Sequence, residues 1–216
     1  MTDTEYAVVD IGSNSLRLMQ GIFKKGQWRF YPKRLATTRL AKGLNESGHL
    51  SPEGIVNSFA VMEEWNRDLQ GIPVCAVATS AVREARDGQA FLAEVRWRFG
   101  WHCRIASGAE EGALSFCGAV STIPADTVVA VLDIGGGSTE VALGKDGHVT
   151  WSHSYPLGAV RLTAAERMGT RELKEVRKRC DETWLRQPVK PEKLIGVGGT
   201  LTSLAAIDAR MDVYDP

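Results

Sequence analysis

Ala130-Val-Leu-Asp133-Ile-Gly-Gly-Gly-Ser138-Thr-Glu140-Val-Ala-Leu-Gly144 reads as a strand, a glycine turn and a returning strand, with acids placed at the bend. Val128 to Leu132 is a continuous apolar run rich in β-branched residues, the pattern of a strand buried on both faces. Gly135, Gly136 and Gly137 remove three Cβ atoms in succession, so backbone N–H groups there can approach an anion closely. Ser138 adds a hydroxyl. Glu140 to Leu143 alternates as a strand does, which makes the turn a hairpin tip and excludes the dinucleotide fingerprint, whose glycines open a helix.

A single GGGS turn is most simply a loose hairpin, but the pattern occurs twice. Ala7-Val-Val-Asp10-Ile-Gly12-Ser13-Asn14-Ser15-Leu-Arg-Leu-Met-Gln-Gly21 aligns without a gap on Ala130 to Gly144, at a constant offset of 123 residues. A repeat this long is one supersecondary unit copied, and it predicts two similar lobes. Two strand ends, each with an Asp and a donor-rich turn, are expected to face one another across a cleft. A polyphosphate with a divalent metal suits such a site.

The remaining composition narrows the class. Over 216 residues, 26 Lys and Arg balance 26 Asp and Glu, so no global field draws the chain to nucleic acid or to a membrane surface. Any anion site has to be local. Cys75, Cys103, Cys117 and Cys180 form no CxxC pair and are expected to be reduced core thiols, and the four histidines lack ligand spacing. No signal peptide is evident and no apolar run approaches about twenty residues. A cytoplasmic location is expected.

Read in order, Tyr6–Asp10, Leu16–Phe23 and Gln27–Pro32 form a meander, followed by a polar connection. In that connection Thr37-Thr-Arg39-Leu-Ala-Lys42-Gly43 is basic and hydroxyl-rich, bordering an anion site or simply solvated. Ser51-Pro52 caps a helix with Ile55, Phe59, Met62, Trp65 and Leu69 inward. Val74–Ala78 is a strand ending at Thr79-Ser-Ala-Val-Arg83-Glu84, where α/β sheets place ligand contacts. A helix over Asp87–Phe99 and a short strand over His102–Ala106 follow. Ser107-Gly-Ala-Glu110-Glu111 then opens a helix that leads to the second hairpin, with the domain boundary within Ser121–Asp126. The second meander precedes Pro156-Leu-Gly158-Ala-Val-Arg161, a charged helix over Thr170–Gln187, and the strand–turn–helix around Gly196-Val-Gly198-Gly199-Thr200.

These ordered motifs resemble the exopolyphosphatase and guanosine pentaphosphate phosphatase family along the whole chain. The resemblance implies an α/β fold, the duplicated actin-like ATPase (ribonuclease H-like) fold, with lobes 1–124 and 125–216 around a cleft. It implies hydrolysis of the terminal phosphoanhydride bond of inorganic polyphosphate, or of the 5′ phosphate of pppGpp, with Mg²⁺. By the same resemblance Glu111 is the catalytic base, and Asp133 and Glu140 orient metal or water. It also implies phosphate contacts from Ser13, Asn14, Ser15, Arg83, Gly135, Gly136, Gly137 and Ser138. Arg161 either approaches the phosphate or simply caps and solvates, Gly198, Gly199 and Thr200 are expected to form a third phosphate- or nucleotide-proximal turn, and Asp10 and Asp133 are expected to orient the metal or its waters. An actin-fold kinase and a catalytically weak phosphate sensor are the competing readings. Gly112-Ala113 departs from the family pattern beside the catalytic helix. The second lobe reads as truncated, so the apolar face of Leu201–Ile207 is expected to be covered by a partner chain, in a homodimer, or else to leave the chain poorly stable alone.

Overall fold

The computed structural model describes residues 4–121, 123–124, 126–166, 174–175, 177–178, 181 and 190–213. It divides into two compact units, Met1–Ala106 and Ser107–Pro216. The expected Thr170–Gln187 helix falls largely outside the described residues, as does Cys180.

In the first unit, β1 (Thr4–Ile11), β2 (Ser15–Lys24) and β3 (Gln27–Phe30) form the expected antiparallel meander. The polar connection after it contains β4 (Arg34–Thr37), which pairs with the first half of β2 beside β3. Its four residues carry too little alternation to declare a strand by themselves. After α1 (Leu44–Ser47), α2 (Pro52–Leu69) begins where Ser51 Oγ accepts the Gly54 amide. Its fully buried stripe is Gly54, Ser58, Met62, Trp65 and Leu69, one step round from the expected face, with Ile55 and Phe59 at the margin. Then β5 (Val74–Ala78) pairs parallel with β1, and β6 (His102–Ile105) pairs parallel with β5. Between these strands lie α3 (Ser80–Glu84) and α4 (Gly88–Phe99). Ala7, Val9 and Ile11 of β1 point into the helix-covered core, whereas Tyr6 and Val8 are exposed on the other face.

The second unit repeats the plan. Here β7 (Val129–Ile134), β8 (Thr139–Lys145) and β9 (His148–Tyr155) form the meander, and β10 (Lys193–Val197) joins β7 in parallel as β5 joins β1. Two further helices, α6 (Ala159–Glu166) and α7 (Gly199–Asp208), follow β9 and β10. Val129, Ala130 and Val131 are all buried, as the apolar run predicts. No side chain of α7 is fully buried, and Leu204 and Ile207 are 55% and 73% exposed. Cys103 is buried and its thiol is pushed up by that burial, but Cys117 is exposed, contrary to its expected core position. Among the described residues no helix is long and apolar enough to cross a membrane.

The helix placed in the first lobe by the 124/125 boundary, α5 (Gly108–Val120), packs instead on β7, β8 and β9. The compact units therefore divide between Ala106 and Ser107. Its contact stripe is Gly108, Gly112 and Phe116, spaced by four. A Cβ on Gly108 would lie 2.4 Å from Ser154 Cβ, whereas one on Gly112 would lie 3.6 Å from Glu140 Cβ, an ordinary contact. Gly112 thus faces the sheet, and its missing side chain leaves a methyl-sized space against Glu140, Ser152 and Ala142. Gly112→Ala is expected to keep or raise the unfolding free energy, since the helix gains up to about 1 kcal/mol in propensity. Gly108→Ala is expected to lower it by about 1–3 kcal/mol through overpacking. Urea unfolding of the two variants checks the contrast.

Candidate active site

Strand ends of the parallel set carry the candidate residues in each unit. In the first, Asp10 is the last residue but one of β1, beside Val77 of β5. The turn is closed by Gly12 N–H donating to Ser15 O at 3.1 Å, and the second unit has its counterpart in Gly135 N–H to Ser138 O at 3.0 Å. Ser13 and Ser138 are both buried, so each turn is fixed from below.

The backbone carbonyls of both turns are taken. Ser13 O accepts the Ala41 amide at 2.9 Å, and Asn14 O accepts those of Thr38 and Arg39 at 3.0 and 2.9 Å. In the second unit Gly135 O accepts the Ala159 amide at 2.9 Å, and Gly136 O accepts Val160 and Arg161 at 2.9 and 3.2 Å. Gly137 O accepts Arg161 Nε at 2.9 Å. A trans peptide points its C=O and N–H in opposite directions. Holding these carbonyls on one side therefore turns the N–H groups of Asn14 and Ser15, and of Gly136, Gly137 and Ser138, to the other side. Among the described residues the amides of Asn14, Gly136 and Gly137 meet no acceptor. Successive outward amides of this kind make an anion-binding concavity. Gly158 is required by the packing of this turn, because a Cβ there would lie 2.4 Å from Gly136 O.

The acids differ between units. Asp10 is opposed across the ladder by Arg17, whose guanidinium donates to its carboxylate at 2.9 Å. At the same position of the second copy Asp133 is opposed by Glu140. Residues directly opposed in an antiparallel pair share a face, so two carboxylates lie together there. Ser115 Oγ of α5 donates to Asp133 Oδ2 at 2.6 Å, and Ser154 Oγ donates to Glu140 Oε1 at 2.6 Å. Glu140 is 2% exposed. Gly198, with φ 87°, lies so close to Asp133 that a Cβ would be 2.7 Å from Oδ1.

Glu111 lies in the first turn of α5, behind the Ser107 N-cap, and it is half-buried. Ser115 stands four residues on, which places both on one stripe of the helix. The equivalent position for Glu110 is Leu114, which is 50% exposed. Arg83 is half-buried on α3, and one of its Nη atoms donates to Ala106 O at 2.9 Å, holding it at the end of β6. Gly199 and Thr200 open α7 next to Gly198. The second unit thus gathers Glu111, Asp133, Glu140, the Gly135–Ser138 turn, Arg161 and Gly198 at one end of its sheet. The first gathers Asp10, Ser13–Ser15 and Arg83 at one end of its own.

Ser115, Ser154 and Arg17 were not singled out by sequence reasoning. Only Ser115 carried a signal, its spacing of four from Glu111. Among the described residues no three His, Cys, Asp or Glu side chains cluster as a ready metal cage. Asp133 and Glu140, opposed on one face of the ladder, are a donor set that fits a hard divalent cation shared with substrate phosphates.

Two copies of this hairpin, each extended by a parallel strand and each ending in an outward-amide turn, define an actin-like ATPase fold. The model of the Ppx/GppA phosphatase family matches residues 22–214. Exopolyphosphatase 2 of Mycobacterium tuberculosis is 31% identical over 240 residues, covering all of this chain and 74% of the relative. The PPX-GPPA enzyme of Aquifex aeolicus is 31% identical with a TM-score of 0.79, covering all of this chain and 74% of that one. A crystal structure of an exopolyphosphatase-like protein gives a TM-score of 0.86 at 27% identity, over 99% of this chain and 72% of that one. The chain belongs to the Ppx/GppA phosphatase family.

Replacing Ser115 by Ala removes a hydrogen bond to a carboxylate and is expected to lower the unfolding free energy by about 1.5–3 kcal/mol. Denaturant unfolding checks this, with Ser121→Ala as the exposed control on the same chain segment.

Proposed function

We propose that this protein hydrolyses the terminal phosphoanhydride bond of inorganic polyphosphate and releases orthophosphate. The observation that carries the proposal is the glycine turn of the second unit, its carbonyls occupied behind it and its amides directed outward, beside Asp133, Glu140 and the Glu111–Ser115 stripe. The names of the related enzymes point the same way.

In the proposed mechanism a water attacks the terminal phosphorus while the bridging P–O bond breaks and the shortened chain leaves. Glu111 accepts the water's proton. Phosphoryl transfer depends chiefly on positioning and charge neutralisation, with limited covalent work for the protein. In the second unit the amides of Gly136, Gly137 and Ser138 donate to phosphate oxygens, Arg161 neutralises phosphate charge, and Gly198, Gly199 and Thr200 line the approach to Asp133. The first unit offers phosphate its own set, the amides of Asn14 and Ser15 and the guanidinium of Arg83. Mg²⁺, when bound, neutralises charge on the phosphates. Asp133 would hold it, with Glu140 opposite on the ladder. In the first unit Asp10, paired with Arg17, would be the carboxylate available to a metal.

Glu111 is preferred to Glu110 on two independent grounds: the family motif, and its place on the stripe that reaches Asp133. Glu111→Gln is expected to lower kcat by about 10²–10⁴-fold with KM nearly unchanged. Glu110→Gln is expected to alter kcat less than about twofold, because an acid in a first turn contributes only about 0.3–1 kcal/mol to the helix. Equal and small effects would identify Glu111 as a helix-stabilising acid only.

Substrate class is tested by single-turnover phosphate release from long-chain polyphosphate, pppGpp and ATP, with Mg²⁺ and with EDTA. Release from polyphosphate that stops with EDTA is expected. Release from pppGpp alone would make the protein a 5′ phosphatase, and turnover of ATP alone would favour a kinase-like reading.

A further inference from the structure

The carbonyls of Ser13 and Asn14 are held by three amides, those of Thr38, Arg39 and Ala41. What orients the first unit's turn is therefore a short segment with no assigned role. That segment bears two marks of constraint. Arg39 has φ 61°, a left-handed conformation uncommon for a residue with a side chain. Thr38 is 1% exposed, and its buried hydroxyl has no hydrogen-bond partner among the described residues. Such features persist only where the surroundings over-determine them.

The surroundings here are the N-terminus of α2. Ser51 N–H donates to Leu40 O at 2.9 Å, while Leu40 itself is fully buried in the core. Gly54 lies directly against the segment: a Cβ on it would be 2.8 Å from Arg39 O, 2.9 Å from Leu40 Cα and 3.0 Å from Arg39 C. All three are backbone atoms, which cannot swing aside as a side chain end would. We infer that Gly54 is a positioning residue for phosphate binding, setting the depth of the Thr38–Ala41 segment and through it the direction of the Asn14 and Ser15 amides. Thr38, Arg39 and Ala41 meet the turn at its carbonyls, and Gly54 meets the backbone of that segment. Their effect passes through the peptide planes of Ser13 and Asn14.

This inference rests on the phosphatase reading, and the experiment separates the two. Inorganic tripolyphosphate is titrated into wild type, Gly54→Ala and Val56→Ala by calorimetry, with polyphosphate hydrolysis and thermal unfolding measured in parallel. Val56 is 67% exposed on the same helix and serves as the control. In Gly54→Ala the dissociation constant and KM are expected to rise about tenfold, with kcat within about threefold of wild type. Alanine raises helix propensity, so a helix position of no further consequence would leave KM unchanged. Unchanged KM and affinity in a folded Gly54→Ala protein overturn the inference while leaving the phosphatase reading intact. A wild type that binds no tripolyphosphate overturns both. Should Gly54→Ala fail to fold, amide NMR of the wild type decides. Tripolyphosphate is expected to shift the Asn14 and Ser15 resonances and, with the same apparent affinity, those of Thr38, Arg39 and Ala41. Static resonances for the latter three overturn the inference.

Discussion

A peptide plane has two ends, and fixing one fixes the other. Each of the two acidic hairpins ends in a turn whose carbonyls are satisfied from behind, by Thr38, Arg39 and Ala41 in one unit and by Ala159, Val160 and Arg161 in the other. The outward amides follow from that constraint, with no cation needed to create the positive concavity. Much of the remaining fold supplies the braces. β4 and the N-terminus of α2 hold the first brace, and the start of α6 together with Gly158 holds the second.

The two copies share this backbone device and have diverged in charge. Across the ladder from the strand-end aspartate stands Arg17 in the first unit and Glu140 in the second. One substitution at an equivalent position turns a neutralised ion pair into a pair of neighbouring carboxylates. Burying Glu140 at 2% exposure is costly unless its oxygens are bonded, and Ser154 provides one such bond. The duplication therefore yields one unit with an ion pair beside its turn and one with two carboxyl groups there.

The phase of α5 determines which of its acids shares a stripe with the side chain that reaches Asp133. Gly108, Gly112 and Phe116 lie against the sheet, so Glu111 and Ser115 fall on the adjoining stripe and Ser115 reaches Asp133. Gly108 allows the helix to sit close at Ser154. The departure at Gly112-Ala113 lies partly on this packing face, and a methyl group at Gly112 would meet only ordinary contacts.

Much of this was legible in the chain itself. The repeat at Asp10 and Asp133, the β-branched run before the second acid, the Ser51-Pro52 cap and the adjacent Glu110-Glu111 pair are local patterns. Local patterns specify local structure because strand period, capping and turn chemistry act over a few residues. The identity of β4, the allegiance of α5 to the second sheet, the Arg17 and Glu140 partners and the carbonyl braces could not be read that way. Each depends on which residues meet across tens of positions: Ser15 with Thr37, Ser115 with Asp133, Asn14 with Arg39. The sequence by itself determined where acids, glycines and amides occur. Only the tertiary structure decided which way those amides point, because a peptide's orientation is set by the partner its carbonyl finds.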